Sequence, residues 1–192
     1  MTSSSSFSDI SSDSSSSNAT DFVFKYTIQE GDNGTTISFV DANSISGTFI
    51  DIAHNQLTNA LTSGQLSNAN NAFSGITVDG IRPTSRTTWG ASPSSGSFKE
   101  NDVIDLKLIF KETINVDTTN GTPTIKLNVG NNYTVDYDSL ENSQEYGPDS
   151  TMVFKYTVQA GHNVDELSYV DIDSFKLNGA IITDVAGNTI AT

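Results

Sequence analysis

Ten side chains able to offer an oxygen fall in turn-like sequence: Asp32, Asp41, Asp79, Glu112, Asp165, Glu166, Asp171, Asp173, Asp184 and Asn188. Carboxylate and amide oxygens are hard donors, and Ca2+ takes roughly six to eight of them at once. The chemistry open to this set is therefore structural cation binding, where several loops converge at one pole of a fold. The candidate ligands are Asp32, Asp79, Glu112, Asp165, Asp184 and Asn188. Asp and Asn also favour turns without any metal, because their side chains bond nearby backbone. The EF-hand loop pattern is absent.

Other chemistries are poorly supplied. His54 and His162 are the only histidines and the chain has no cysteine, which excludes thiol catalysis and argues against a transition-metal centre. There is no G-x-S-x-G turn and no phosphate-cradling glycine loop, and the serines sit in low-complexity or turn sequence. Acidic pairs are expected by chance among 23 acidic residues, and nothing marks two of them as a glycosidase couple. Trp89, with six tyrosines, could offer a sugar platform, although a lone Trp more often plugs a core. These residues predict a protein that is not an enzyme.

The elements that must hold those turns announce themselves by repetition. Val153-Phe154-Lys155-Tyr156-Thr157-Val158-Gln159-Ala160-Gly161 restates Val23-Phe24-Lys25-Tyr26-Thr27-Ile28-Gln29-Glu30-Gly31 at an offset of 130 residues, and 12 of 22 positions agree through Ser44 and Ser174. Such a period fits one small domain per repeat, not a solenoid turn. Phe22, Phe24, Tyr26 and Ile28 alternate onto one face, as do Met152, Phe154, Tyr156 and Val158, which predicts a half-buried antiparallel strand in each copy.

In chain order, residues 1–20 are Ser-rich and read as a flexible arm, because little apolar surface offsets the entropy of ordering them. Strands are predicted over residues 22–28, 37–40, 45–52 and 76–78, with a long loop or short helical turn over 55–71. Asp79-Gly80-Ile81-Arg82-Pro83 has the turn chemistry of a domain junction. Three alternating strands follow over 103–110, 125–129 and 133–137, separated by the hairpin-type turns Asn120-Gly121 and Gly130-Asn131-Asn132. Further strands are expected at 151–158, 167–170 and 175–182. Strands at this spacing, without a long amphipathic helix, predict an all-β protein with a β-sandwich architecture.

Nine basic against 23 acidic residues give a formal charge of −14, which repels phosphate backbones and anionic lipid. Nucleic acid and membrane insertion are excluded as expectations, and no apolar run approaches the roughly 20 residues of a bilayer span. An acidic cysteine-free domain exported from the cell would need a staple other than a disulfide, and a bound cation is the natural one. Residues 1–17 lack the basic start and apolar core of a secretory signal.

Several phrases in order, Val78-Asp79-Gly80-Ile81-Arg82-Pro83, Gly96-Ser97-Phe98-Lys99-Glu100-Asn101-Asp102, Phe110-Lys111-Glu112, Gly121-Thr122-Pro123, Leu177-Asn178-Gly179 and Asp184-Val185-Ala186-Gly187-Asn188, together with the repeated strand, resemble the immunoglobulin-like tandem repeats of large bacterial surface proteins, including RTX-type adhesins and SwmB-like proteins. The resemblance covers about residues 21–192. It implies an Ig-like β-sandwich, Ca2+ near domain junctions, a location on the bacterial cell surface or outside the cell, and a structural or adhesive role that includes contact with surface glycans or host surfaces. His162 stands where the first copy has Asp32, which departs from the pattern at that turn.

The repeat frame predicts a partial repeat over residues 21–80, carrying late strands, and a repeat over 81–192 that lacks its last strand. A sandwich short of a strand exposes an edge that another strand can fill. Self-association with neighbouring copies, as filaments joined by strand exchange, is the second expectation. A carbohydrate-binding module resting on Trp89 is the third.

Overall fold

The computed structural model of the chain describes residues 25–34, 37–41, 43–44, 53–56, 62–85 and 89–190. The Ser-rich arm, the start of the first repeat strand at 22–24 and the strand expected over 45–52 lie outside the described residues. The chain divides into two compact units, Met1–Ile81 and Arg82–Thr192. Its regular structure is predominantly antiparallel β.

The first unit contains β1 (Asn33–Gly34), α1 (Ser63–Ala72) and β2 (Val78–Asp79). Thr62 caps α1 in a reciprocal box: its hydroxyl accepts the Gln65 N–H while the Gln65 side chain accepts the Thr62 N–H at 2.9 Å. None of the helix's residues is buried, so local capping, not an apolar stripe, accounts for its start. β1 and β2 pair antiparallel, Asn33 opposite Asp79 and Gly34 opposite Val78. The ladder extends into the preceding turn, where Gly31 N–H donates to Gly80 O at 2.9 Å and Gly80 N–H to Asp32 O at 2.6 Å. A Cβ on Gly80 would overlap the Gln29 carbonyl oxygen, so only glycine lets β2 pass this close.

The second unit contains β3 (Gly90–Ser92), β4 (Val103–Ile109), β5 (Ile114–Asp117), β6 (Thr124–Lys126), β7 (Thr134–Ser143), β8 (Gly147–Thr157), β9 (Phe175–Lys176) and β10 (Ile181–Asp184). Six strands form one antiparallel sheet in the order β3-β4-β8-β7-β6-β9, and β5 and β10 form a separate two-stranded ladder. Ile114 of β5 and Ile182 of β10 belong to the same buried cluster as Ile104, Leu106, Leu108, Ile125, Met152 and Phe154 of the large sheet. One apolar core thus holds both layers, which gives the unit a sandwich-like character. Each such side chain, once buried, contributes about 1.5–3 kcal/mol.

The alternation read from the sequence holds on β4 and β8. Ile104, Leu106, Leu108 and Phe110 are buried, as are Met152, Phe154, Tyr156 and Val158. Thr151 and Val153, assigned to the opposite face of β8, are buried as well. β8 lies between β4 and β7, so neighbouring strands enclose it on both sides.

Several expectations need correction. Residues 25–28 and 37–40 form no strand, and of the two alternatives over 55–71, a long loop or a short helical turn, the structure has a helix, the ten-residue α1. β5 and β3 were not foreseen. Asn120-Gly121 does not close a hairpin, because β5 before it pairs with β10 and β6 after it joins the other sheet. The turn is a crossing between sheets, where a Cβ on Gly121 would overlap the Asn178 carbonyl oxygen. By contrast, Gly130, Asn131 and Asn132 all take positive φ and return the chain tightly, with Leu127 N–H to Tyr133 O at 2.8 Å and Tyr133 N–H to Val129 O at 2.8 Å.

Candidate metal centre

The β5–β10 ladder sets the geometry of two candidate ligands. Its register places Asp184 opposite Ile114, two residues after Glu112. The carboxylate oxygens of Glu112 and Asp184 accordingly come within 4.8 Å of one another. Asp184 is only 2% exposed. Its backbone and side chain close the turn that follows β10: Asn188 N–H donates to Oδ1 at 2.8 Å and Asn188 Nδ2 to Oδ2 at 2.8 Å. Asn115 Nδ2 donates to the Asp184 carbonyl at 3.3 Å, tying the turn to β5. Three of the expected ligands, Glu112, Asp184 and Asn188, are therefore neighbours in the second unit. Two carboxylates this close repel, and a divalent cation on their oxygens would relieve that repulsion. The two carboxylates are hard-oxygen donors of the kind that Ca2+ takes.

Asp32, Asp41, Asp79 and Asp171 close turns within their own segments. Asp79 ends β2 in the first unit, and its Oδ1 accepts the Ile81 N–H at 3.1 Å. Asp32 accepts the Tyr26 hydroxyl, which raises the tyrosine's pKa, and the Gln29 N–H at 2.7 Å. Asp41 Oδ1 accepts the Asn43 N–H at 2.7 Å, and Asp171 Oδ1 accepts the Asp173 N–H at 2.9 Å. The Glu166 carbonyl accepts Asn128 Nδ2 at 3.0 Å, and Asp165 is exposed in the same loop. Neither Asp32 nor Asp165 joins a group of three or more potential ligands among the described residues.

Trp89 packs into an aromatic cluster, its ring 4.6 Å from Tyr169, 6.0 Å from Phe154 and 6.2 Å from Phe175. Burial in that cluster pushes the Tyr169 hydroxyl pKa well up. The outer face of the large sheet carries two ion pairs that sequence reading did not identify, Lys107 Nζ to Glu141 at 2.7 Å and Lys155 Nζ to Asp138 at 2.7 Å. Both lysines sit at outward positions of strands recognised by alternation. Their partners on β7 were hidden because that strand runs further than its apolar residues indicate.

Comparison of the chain with protein-family models, with curated proteins and with solved structures gives no match.

Proposed function

We propose that this chain is a non-enzymatic structural or adhesive module of a bacterial surface protein, an Ig-like sandwich that works outside the cell and is stiffened by Ca2+. The observation that carries this reading is a duplicated set of turns. Gln29 O accepts Asp32 N–H at 3.1 Å in the first copy, and Gln159 O accepts His162 N–H at 3.0 Å in the second. Asp41 O accepts Ser44 N–H at 3.2 Å, and Asp171 O accepts Ser174 N–H at 3.2 Å. A set of turns written twice along a chain fits an array of repeated units, in which repetition supplies length. The acidic, cysteine-free composition and the ordered phrases shared with surface repeats support the same reading.

In this reading Ca2+ sits on Glu112 and Asp184, and Asn188 holds the turn that presents Asp184. The test is thermal unfolding in millimolar Ca2+ against EDTA. A cation at about 100 times its dissociation constant adds about 2.7 kcal/mol, which for a domain this size raises the melting temperature by several degrees. Asp184→Asn and Glu112→Gln should each abolish most of that gain, whereas Asp165→Asn should retain it. A melting temperature indifferent to EDTA in the unaltered protein would overturn the cation assignment. A glycan-binding role would require affinity that Trp89→Ala removes without unfolding the core.

A further inference from the structure

The same turn occurs in both units, but among the described residues only one copy carries a strand. In the first unit the main chain of residues 31–34 holds β2, through Gly31 to Gly80, Gly80 to Asp32 and the pairs Asn33–Asp79 and Gly34–Val78. At the corresponding positions of the second unit, 161–164, the turn is built alike. Gly161 has φ +80° where Gly31 has +93°, and Gln159 Nε2 bonds Thr157 O at 2.7 Å where Gln29 Nε2 bonds Thr27 O at 2.9 Å. His162 Nδ1 meets the Tyr156 hydroxyl at 2.8 Å and the Gln159 N–H at 3.4 Å, the two groups whose counterparts Asp32 accepts. Yet the main chain of Gly161, Asn163 and Val164 pairs with no described residue, and all three are exposed.

We infer that residues 161–164 form a strand-accepting edge that takes the Val78-Asp79-Gly80 strand of a second copy of this chain. The inference rests on the reading above, that the chain is a structural module, and supplies its partner. The occupant is defined by what the first unit already holds. Its glycine passes over the carbonyl of the turn, where any Cβ would overlap, and Asp-Gly occurs only at Asp79-Gly80 in the sequence. Among the described residues each chain thus shows two such turns and one strand that is held on them.

Two observations favour the second unit as the better acceptor. Its turn is anchored in the large sheet: Tyr156 and Val158 are buried, Asn101 N–H donates to Val158 O at 2.9 Å and Val158 N–H to Asp102 O at 2.9 Å. Tyr26 and Ile28, their counterparts, are 39% and 48% exposed and belong to no ladder. A preorganised edge loses less entropy on pairing. In addition, the donor carries Asp79, which in the first unit lies one register position from Asp32. In the second unit that neighbour is His162, so a like-charge pairing is removed.

The absence of cysteine makes the test direct. In the first unit Asn33 and Asp79 are register partners, so the equivalent contact between molecules joins Asn163 to Asp79. Differently tagged full-length Asn163→Cys and Asp79→Cys chains are mixed, oxidised and run without reductant. The mixed disulfide should exceed by about tenfold that formed between Asn163→Cys and a control cysteine at exposed Asn71, because docking raises the effective concentration of the paired thiols. Adding Gly80→Ala to the Asp79→Cys chain should return the yield to the control level. Yields equal to the control, or indifferent to Gly80→Ala, would overturn the inference. So would an Asn163→Cys/Asp79→Cys double variant that closes only within one chain. These failures leave the Ca2+-dependent melting untouched, so they are separable from failure of the module reading.

Discussion

The two copies of Lys-Tyr-Thr share a sequence and a turn but not a fate. Around Lys155 the copy is part of β8, an eleven-residue strand flanked by β4 and β7, with Tyr156 2% exposed. Around Lys25 the same residues belong to no ladder, and Tyr26 is 39% exposed. Both copies nevertheless close the same turn through Gln, Gly and a side-chain acceptor, Asp32 in one and His162 in the other. The turn is encoded within about six residues, whereas the strand is encoded by its partners. β8 has partners 42 to 54 positions before it in β4 and 4 to 17 positions before it in β7, and the described part of the first unit supplies none to residues 25–28.

The largest effect that could break this comparison is core truncation. Phe154→Ala should destabilise the second unit by about 3–5 kcal/mol, as loss of a fully buried aromatic does, whereas Tyr26→Ala should cost only about 1–2 kcal/mol because Tyr26 is already 39% exposed. Urea unfolding measures both, and equal costs would mean that the first copy is as deeply packed as the second. Next in size are the turn exchanges, Asp32→His and His162→Asp. Each substitutes one acceptor for the other and should cost under about 1.5 kcal/mol, the net value of a hydrogen bond. A loss of several kcal/mol in either would show that the two turns are not interchangeable.

A smaller effect concerns pH. The Lys155 ammonium and the Ser139 hydroxyl bond the Asp138 carboxylate and lower its pKa, and the same carboxylate raises the pKa of Lys155. The stability from Asp138 is present above the ordinary carboxylate pKa of about 3.9 and fades as pH falls through its lowered value. That from Lys155 is complete below the ordinary lysine value of about 10.4 and fades as pH rises through its raised value. Asp138→Asn removes both, so the stability curves of variant and parent should converge at the acid and alkaline extremes and separate between them. Curves that stay parallel throughout would dissociate the pair from stability. Smallest of all, Lys155→Ala at neutral pH should be nearly silent in urea unfolding, since the pair is exposed to solvent and screened by salt.

How much was legible follows the same division between local and distant. β4 and β8 were legible because alternation of large apolar residues is a property of the segment itself. α1 was legible only as one of two alternatives, a short helical turn, because it lacks an apolar stripe, although Thr62-Ser63-Gly64-Gln65 carries the capping signal. β5 was missed although Ile114-Asn115-Val116-Asp117 alternates, because four residues are too few to separate a strand from a turn. Glu112, Asp184 and Asn188 were legible as turn oxygens. That they would be neighbours was not, because the β5–β10 register that joins them connects residues 70 positions apart.

That register also has a consequence in time. Ile114 faces the core from β5, and its ladder partner Asp184 does not exist until another 70 residues have been polymerised. At roughly 5–20 residues per second this interval is about 4–14 s. During it β4, β7 and β8 can pair, because β8 is complete by Thr157, but the two-stranded layer has no second strand. The apolar surface that Ile182 will cover faces water until then. Closure of the second unit is therefore the last event of its synthesis, and a chain halted before β10 presents an open core to its neighbours.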